Sequence, residues 1–325
     1  MGENLSFYLE ESFHQTVIKR VAIAKHAIFE IRSVIEDTRA KILGSVNIAF
    51  MIWETAIIPM LAFNSECWIG ISKKTIKILD DLFHTFCRAI FRVSTGCPIP
   101  CFYWESASLK FSNLILQRQL NFVYHLANLE EGALARIIFE EQVQKSMPGL
   151  YQICEEHLLN MGVNDLKLIS KWHFKKVVKK YIFDRNRSQV LDEIRSYKKL
   201  SFDQLSQETY ERKSYFFDLS LENARMRFRV SSKLVPTILA NFSSKYRRRG
   251  QSLTCPSCSA LTPDRSEQED SIGQTEPLHS QSHILTECVA VRDLREECEP
   301  RDDFSLAEFF KKVVARNMEI EDLLT

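Results

Sequence analysis

The fold class is decided by residues 17–35, which read VIKRVAIAKHAIFEIRSVI. Their apolar side chains recur at alternating spacings of four and three residues. The positions concerned are Val17, Val21, Ala24, Ile28, Ile31 and Ile35. This spacing lines one face of an α-helix, and charged residues occupy the faces between. The segment therefore predicts an amphipathic helix of roughly 25 residues.

The same spacing returns further along the chain. Inward positions of a second helix are Ile76, Leu79, Phe83, Phe86, Ile90 and Val93, and inward positions within 112–145 are Leu116, Leu120, Val123, Tyr124 and Ala127. Residues 95–100 predict a loop, and helical patterns follow at 150–160, 166–183, 188–196, 203–242 and 305–324. Only 9 Gly and 9 Pro occur in 325 residues, and no sheet pattern emerges. The sequence therefore predicts a mainly α protein.

Residues 42–63, ILGSVNIAFMIWETAIIPMLAF, form the most apolar stretch, long enough to raise the question of a membrane span. Asn47, Glu54 and Pro59 lie inside it, and basic anchors flanked by aromatics are missing. A charge and a proline within the run favour a buried helix that is broken near Pro59. We therefore expect no membrane partner.

Cysteine and histidine spacing near the C-terminal end predicts a metal site. Cys255 and Cys258 form a Cys-x2-Cys pair, and His283 and Cys288 form a His-x4-Cys pair. Three thiolates and one imidazole are a tetrahedral set that suits zinc, and a closed set indicates one structural Zn2+. His279 lies in the 24-residue gap and competes with His283 as the ligand. A redox Cys-x2-Cys is the alternative, but it needs a βαβ setting that the pattern does not provide.

The other cysteines have simpler interpretations. The first residues, MGENLSFYLEESF, lack the basic and then apolar pattern of a signal peptide. We therefore expect an intracellular protein of the nucleus or cytoplasm, not secreted, with reduced thiols. A second zinc site would use His84, Cys87, Cys97 and Cys101, whereas the alternative is a loop cysteine, a core cysteine and a surface histidine. Cys67 and Cys154 are predicted to pack in the core, and Cys298 to lie on a solvated face.

The net charge of +1 conceals an uneven distribution. Residues 171–249 hold 20 Lys and Arg against 8 Asp and Glu, a net charge of +12, whereas residues 250–325 hold 7 against 16, a net charge of −9. Such basic rows neutralise phosphates, and the interleaved aromatics Trp172, Tyr181, Tyr197 and Tyr246 can stack on unpaired bases. RNA or DNA is therefore the predicted partner, with a solvated helix face or an anionic lipid surface as alternatives. The predicted contact residues are Lys175, Lys176, Lys179, Lys180, Arg225, Arg227, Arg229, Arg247, Arg248 and Arg249.

Motifs of known catalytic sites are missing from the sequence. It contains no GxxxxGK[ST], GxGxxG, HExxH or GxSxG. Asp80 and Asp81 form an acidic doublet like those that bind metal ions, but they share a helix with Leu79 and Phe83, which favours a solvated face. We therefore predict no catalytic residues and no small-molecule substrate.

The order of these features resembles the C-terminal part of the reverse transcriptases of non-LTR retrotransposons, the LINE-type elements. The resemblance is carried by residues 35–37 (IED), 52–59 (IWETAIIP), 64–68 (NSECW), 79–82 (LDDL), 86–88 (FCR), 95–100 (TGCPIP), 103–105 (YWE) and by the Cys and His pairs, which are followed by Leu294 and Arg295. It extends over nearly the whole chain. Residues 53–59 and the Cys and His pattern are its most specific parts.

The resemblance implies a domain organisation and a function. It implies a thumb-like helical domain at 1–110, a basic helical linker domain at 111–250, a CCHC zinc knuckle with a long acidic loop at 251–300, and a C-terminal helix at 301–325. The thumb would grip a template–primer duplex, and the knuckle would help to hold element RNA or target DNA. The Tyr/Phe-x-Asp-Asp site of the polymerase palm has no counterpart here, and residues 259–282 depart from the family pattern. The implied protein is a truncated, non-enzymatic copy that could partner the missing polymerase core. The alternative is a decayed or domesticated copy that acts as a protein-interaction scaffold.

Overall fold

A computed structural model describes residues 2–36, 45–197, 209–232, 292–298, 305 and 308–313. Within these ranges the regular secondary structure is helical and no strand occurs, which confirms the predicted mainly α class. The helices are α1 (Gly2–Glu36), α2 (Ser45–Ile52), α3 (Ile58–Leu61), α4 (Lys73–Phe91), α5 (Ile99–Ser106), α6 (Phe111–Ala127), α7 (Leu134–Gln144), α8 (Leu150–Asn160), α9 (Lys171–Ser196), α10 (Tyr215–Asp218), α11 (Leu221–Ser231) and α12 (Arg292–Cys298). A π-helical turn at Trp53–Ile57 separates α2 from α3, and a 3-10 turn follows at Ser65–Cys67.

The chain divides into two compact units. Unit 1 comprises Met1–Asp37, Ile48–Ile90 and Phe102–Arg212, and unit 2 comprises Thr38–Asn47, Phe91–Cys101 and Lys213–Thr325.

Helix α1 of unit 1 buries the stripe that the sequence predicts. All six apolar positions of that stripe, from Val17 to Ile35, are at most 7% exposed. The helix is longer than the predicted length because it begins at Gly2. Arg20 anchors it, since its guanidinium donates to the backbone oxygen of Phe63 at 2.7 Å and lies 5.8 Å from the ring centroid of Trp68. The guanidinium of Arg20 thus provides a hydrogen-bond donor to a backbone oxygen just after the end of α3, where no helical N–H is present to donate to it.

The apolar stretch around Trp53 is buried on one face only: Trp53 and Ile57 are buried as predicted, whereas Ile48, Met51 and Phe63 are exposed. Its helical irregularity lies earlier than Pro59. The irregularity is the π-helical turn at Trp53–Ile57, where the helix is wider than an α-helix. Pro59 lies in the first turn of α3. The helical path is continuous through this turn, since the backbone N–H of Ile58 donates to the oxygen of Trp53, and Pro59 has no N–H with which to continue that pattern. Across the described ranges, no helix combines the length and the apolar composition that crossing a membrane requires.

Aromatic side chains of α2, α4 and the π-helical turn form one core of unit 1. The indole of Trp53 stacks on Phe86 with a centroid distance of 4.7 Å, and Phe50 meets Phe86 edge-on at 5.1 Å. Leu79, Phe83, Phe86 and Ile90 of α4 are buried, which confirms the inward positions predicted there, and Ile76 and Val93 are half-buried. Helix α5 begins at Ile99, so the loop predicted at 95–100 is shorter than expected. Pro100 again lies in a first turn.

Helices α6 to α9 enclose a second core of unit 1. It includes Leu120, Val123, Cys154, Phe174 and Val178. Helix α8 has the bounds that the sequence predicts. The two helices predicted at 166–183 and 188–196 are instead the single helix α9, and residues 162–170 are not helical.

The reason for this error is the spacing of the buried stripe of α9. Its buried positions recur every four residues, at Phe174, Val178, Ile182, Asn186, Val190 and Ile194. Four residues turn a helix by about 40° more than one full revolution, so the stripe winds around the helix axis. No single face of the whole helix is apolar, and the periodicity is lost when the helix is considered as a whole.

In the described part of unit 2, aromatic side chains pack against one another. Phe91 stacks on Phe228 with a centroid distance of 4.0 Å and meets Phe216 at 5.6 Å. The long helix predicted at 203–242 is wrong for 209–214, which are not helical, and α10 and α11 are short. The final helix predicted at 305–324 is confirmed at 308–313, while 314–324 lie outside the described residues.

Candidate nucleic-acid interface

Helix α9 presents the basic cluster that the sequence predicts. Ser170 begins the helix, and its hydroxyl accepts a hydrogen bond from the backbone N–H of His173 at 3.4 Å. Phe174, Val178 and Ile182 pack into the second core, and Phe174 stacks on Tyr124 at 4.5 Å. Because this side of the first three turns is buried, the opposite side faces solvent.

The solvent side of these turns carries lysines without acidic partners. Lys171, Lys175, Lys176, Lys179 and Lys180 are all exposed. In the part of the chain that the structure describes, none of them forms an ion pair with a carboxylate. The first acidic residue of α9 is Asp184. We call the side formed by these five lysines and Trp172 the lysine face.

Some other lysines of unit 1 are neutralised by carboxylates. Lys145 pairs with Glu141, Lys167 pairs with Glu140 at 2.9 Å, and Lys110 pairs with Glu193. Lys19, Lys25, Lys73, Lys74 and Lys77 are also exposed and have no carboxylate partner among the described residues, so the lysine face is distinguished by holding five such lysines within ten residues. Concentrated positive charge of this kind attracts polyanions.

Trp172 is the exposed aromatic of the lysine face. Its indole is 71% exposed, and the ammonium of Lys176, one turn further on, lies 5.2 Å from the ring centroid. Tyr181 is less available because it is half-buried and its hydroxyl shares a 2.9 Å hydrogen bond with Nδ1 of His157. Tyr197 follows the end of α9, and Tyr246 lies outside the described residues. Of the aromatics predicted to stack on bases, Trp172 is therefore the one placed among the lysines.

A buried polar network, which the sequence does not reveal, fixes the second half of α9. The side-chain oxygen of Asn186 accepts from Nδ2 of Asn113 at 2.8 Å and from the backbone N–H of Lys110 at 3.0 Å. Its amide group donates to the hydroxyl of Tyr210 at 2.7 Å and to the backbone oxygen of Ser108 at 3.0 Å. All the hydrogen-bonding capacity of a fully buried side chain is thus used. The only signal in the sequence is that Asn186 continues the four-residue stripe.

The arginines of α11 are engaged within unit 2. Arg225 is only 7% exposed, which leaves little of its guanidinium for a phosphate. Arg227 donates to the hydroxyl of Ser231 at 2.8 Å. Arg229 donates to the backbone oxygen of Arg92 at 3.0 Å, and burial, together with the charge of Arg92, lowers the pKa of Arg229. Arg227 and Arg229 are half-buried, so α11 is a weaker candidate for phosphate contact than the lysine face.

The predicted zinc ligands lie outside the described residues, as does the second group of predicted arginines. This applies to Cys255, Cys258, His279, His283, Cys288, Arg247, Arg248 and Arg249. Across the described ranges, no group of three or more His, Cys, Asp or Glu side chains is arranged to hold a metal ion.

The other cysteines and His84 differ in part from the prediction of which side chains are buried and which are exposed. Cys87, Cys97, Cys101 and Cys154 are buried, and burial raises the pKa of Cys154 to about 12. Cys67 is exposed, so the prediction that it packs in the core is wrong. The prediction of a surface histidine is also wrong. The His84 side chain is buried between Phe102 and Tyr103, and burial lowers the pKa of His84 to about 4.

The acidic doublet is not a solvated pair. One carboxylate oxygen of Asp80 accepts from the hydroxyl of Tyr103 and from the backbone N–H of Phe111, which is the first residue of α6. Burial raises the pKa of Asp80, although both hydrogen bonds oppose that shift. Asp81 remains exposed beside His84. Asp80 therefore holds the start of α6, and the prediction of a solvated face applies to Asp81 alone.

The chain matches no protein-family model, no curated protein and no solved structure. The lysine face is thus defined by its exposure, its charge and the core beneath it.

Proposed function

We propose that the protein binds nucleic acid without catalysing a reaction, and that the lysine face is a principal contact surface. The supporting observation is a set of five exposed lysines within ten residues of α9, none with a carboxylate partner in the described ranges. Like charges four residues apart destabilise a helix, and this spacing occurs at Lys171 with Lys175, Lys175 with Lys179, and Lys176 with Lys180. A polyanion reverses that cost, because phosphates neutralise the lysines and release condensed counterions.

Within this class, we propose that the chain derives from a reverse transcriptase of the non-LTR retrotransposon type. Residues 53–59 and the C-terminal Cys and His pairs support the proposal through their resemblance to that family. In such a protein, a thumb-like domain and a basic helical linker hold template–primer, element RNA or target DNA. Cys255, Cys258, His283 and Cys288 would hold one structural zinc ion. Because the sequence has no Tyr/Phe-x-Asp-Asp motif, primer extension by the purified chain with magnesium should yield no product.

Gel shift or filter binding with a structured RNA and a duplex DNA tests the binding function. We expect binding at low salt that weakens steeply as salt rises, since each neutralised phosphate contributes a slope of about −0.9 in log K against log salt for duplex DNA. Absence of binding at low salt, or binding indifferent to salt, would contradict the proposal.

A pair of double variants locates the contact surface. Lys175→Gln with Lys179→Gln removes two charges from the lysine face. Lys145→Gln with Lys167→Gln removes the same number from lysines that are already paired. The first double variant should weaken binding and reduce its salt slope, whereas the second should change neither by a comparable amount. Equal effects would show that net charge matters and the lysine face does not.

A protein-interaction scaffold is the second candidate, and an apolar surface on α7 favours it. Leu134, Ile137 and Ile138 lie on adjacent turns of this helix and are all exposed. Adjacent exposed apolar side chains are typical of interaction surfaces. The scaffold function is preferred if the wild-type chain binds neither RNA nor DNA at low salt and if changes to the four predicted contact lysines of α9 affect no function.

A further inference from the structure

Trp172 differs from every other tryptophan of the chain. It is 71% exposed, whereas Trp53, Trp68 and Trp104 are 1–2% exposed. An indole has a large apolar surface, and leaving it in water is unfavourable. Exposed tryptophans are therefore expected where a ligand covers the ring.

The setting of Trp172 indicates which kind of ligand covers it. Lys176 lies over the ring at 5.2 Å, and Lys171 and Lys175 are close to Trp172 in sequence and also exposed. The cation restrains the indole without covering most of it. An open aromatic surface flanked by cations is the arrangement that binds single-stranded nucleic acid, because the ring stacks on a base while the cations bind the backbone.

A duplex cannot use this arrangement fully. Its bases are already stacked on one another, and a side chain reaches the flat side of a base only where the stack is open. From Lys171 to Lys180 the helix rises by about 14 Å, which limits the contact to a few nucleotides. The lysines alone would bind either form through its phosphates.

We propose that the lysine face takes nucleic acid with unpaired bases, with Trp172 stacked on one base and the lysines bound to the neighbouring phosphates. This inference rests on the proposed nucleic-acid-binding function and names the class of ligand. A single strand, a bulge or an unpaired end meets the requirement, and a blunt duplex does not.

The fluorescence of the full chain tests the inference directly, because Trp172 is the one tryptophan that a ligand can reach without unfolding. The probes are a single strand of thymidines of about 15 nucleotides and a blunt duplex with the same number of phosphates. We expect the single strand to quench the Trp172 emission and the duplex to leave it nearly unchanged. Quenching should disappear in Trp172→Phe, which retains a ring but emits little.

Affinity measurements with three variants separate stacking from apolar contact. Trp172→Ala should weaken single-strand binding by about tenfold and change duplex binding little. Trp172→Phe should retain most of the affinity because it keeps an aromatic surface. Trp172→Leu should resemble Trp172→Ala because it keeps only apolar bulk. Thermal unfolding should be similar for all three, since the side chain is exposed.

Other outcomes would overturn the inference in distinguishable ways. If neither probe binds at low salt, the proposed function fails and this inference fails with it. If both probes bind equally and Trp172→Ala changes neither affinity, the proposed function stands and the inference is wrong. If vesicles of anionic phospholipid shift the Trp172 emission and the thymidine strand does not, the surface binds lipid.

Discussion

A carboxylate oxygen of Asp80 accepts a 3.0 Å hydrogen bond from the hydroxyl of Tyr103, and this bond connects α4 to α5. The same oxygen accepts the backbone N–H of Phe111 at 3.1 Å. Burial raises the pKa of Asp80, and it also raises that of Tyr103, which therefore remains a hydrogen-bond donor. One acidic side chain thus fixes two helices and the start of a third.

Replacement of Asp80 should destabilise unit 1. In Asp80→Ala, the Tyr103 hydroxyl and the Phe111 N–H lose their acceptor, and we expect a loss of about 1–3 kcal/mol in the free energy of unfolding. Asp80→Asn should lose less, because its amide oxygen still accepts and the buried charge is removed. Urea unfolding measures both, and Asp81→Ala at the exposed neighbour is the control. A loss for Asp81→Ala as large as that for Asp80→Ala would contradict the assignment.

His84 should make stability depend on pH below neutrality. Its pKa is lowered from 6.5 to about 4 in the folded protein, chiefly by burial. As pH falls through 6.5, the unfolded chain takes up a proton that the folded protein does not bind, so stability is lost progressively down to about pH 4. The loss attributable to this group is about 3 kcal/mol at most. His84→Gln should remove that part of the pH dependence in urea unfolding between pH 7 and 4, whereas His26→Gln, at an exposed position, should leave it in place.

Asn186 should be more important for stability than its polar character suggests. Asn186→Ala leaves Asn113, Tyr210 and the Lys110 N–H without a shared partner in a buried site, and we expect a loss of about 2–4 kcal/mol. Asn128→Ala, at an exposed asparagine that bonds backbone oxygens, is the matched control and should cost under about 1 kcal/mol. Similar losses of unfolding free energy for the two variants would show that the buried network does not contribute to stability.

Metal analysis tests the predicted zinc site. The purified chain should carry one zinc ion, and Cys255→Ser or Cys288→Ser should lower that stoichiometry because each removes a thiolate ligand. His279→Ala and His283→Ala separate the two candidate imidazoles, since only the variant of the true ligand should lose affinity for zinc. A wild-type chain without zinc after purification in the presence of the ion would exclude the site.

The salt dependence of single-strand binding counts the contacts of the lysine face. Lysine-to-glutamine changes at 175, 176, 179 and 180 together should reduce the slope of log K against log salt by about 3, at about 0.7 per phosphate contact. Isothermal titration or anisotropy with a thymidine strand at several salt concentrations provides the slope. An unchanged slope would mean that these four lysines do not touch the backbone.

The sequence predicts features that depend on neighbours along one helix. The α1 stripe from Val17 to Ile35 and the bounds of α8 are examples, because apolar spacing alone specifies them. The exposure of the lysines at 175–180 belongs to the same group, since the core side of those turns is apolar.

Features that depend on distant partners are not visible in the sequence. Asp80 acquires its role from Tyr103 and Phe111, which lie 23 and 31 residues away. The distinction between free and neutralised lysines is similar, because Lys167 finds Glu140 from 27 residues away. The zinc site and the arginines at 247–249 stay predictions because the described residues do not include them.

The winding stripe of α9 has a consequence for any strand laid along the helix. Val190 lies in nearly the same angular sector about the helix axis as Lys179, about three turns earlier, and Ile194 lies in that of Lys176, about five turns earlier. Val190 and Ile194 are both fully buried. A strand that follows the lysines toward the C-terminal end of α9 therefore runs into protein near Asn186 and must turn away. The exposed lysine surface of α9 therefore has a fixed length and ends near Asn186. Affinity for single strands of increasing length should therefore rise over the first few nucleotides and then gain nothing more from α9.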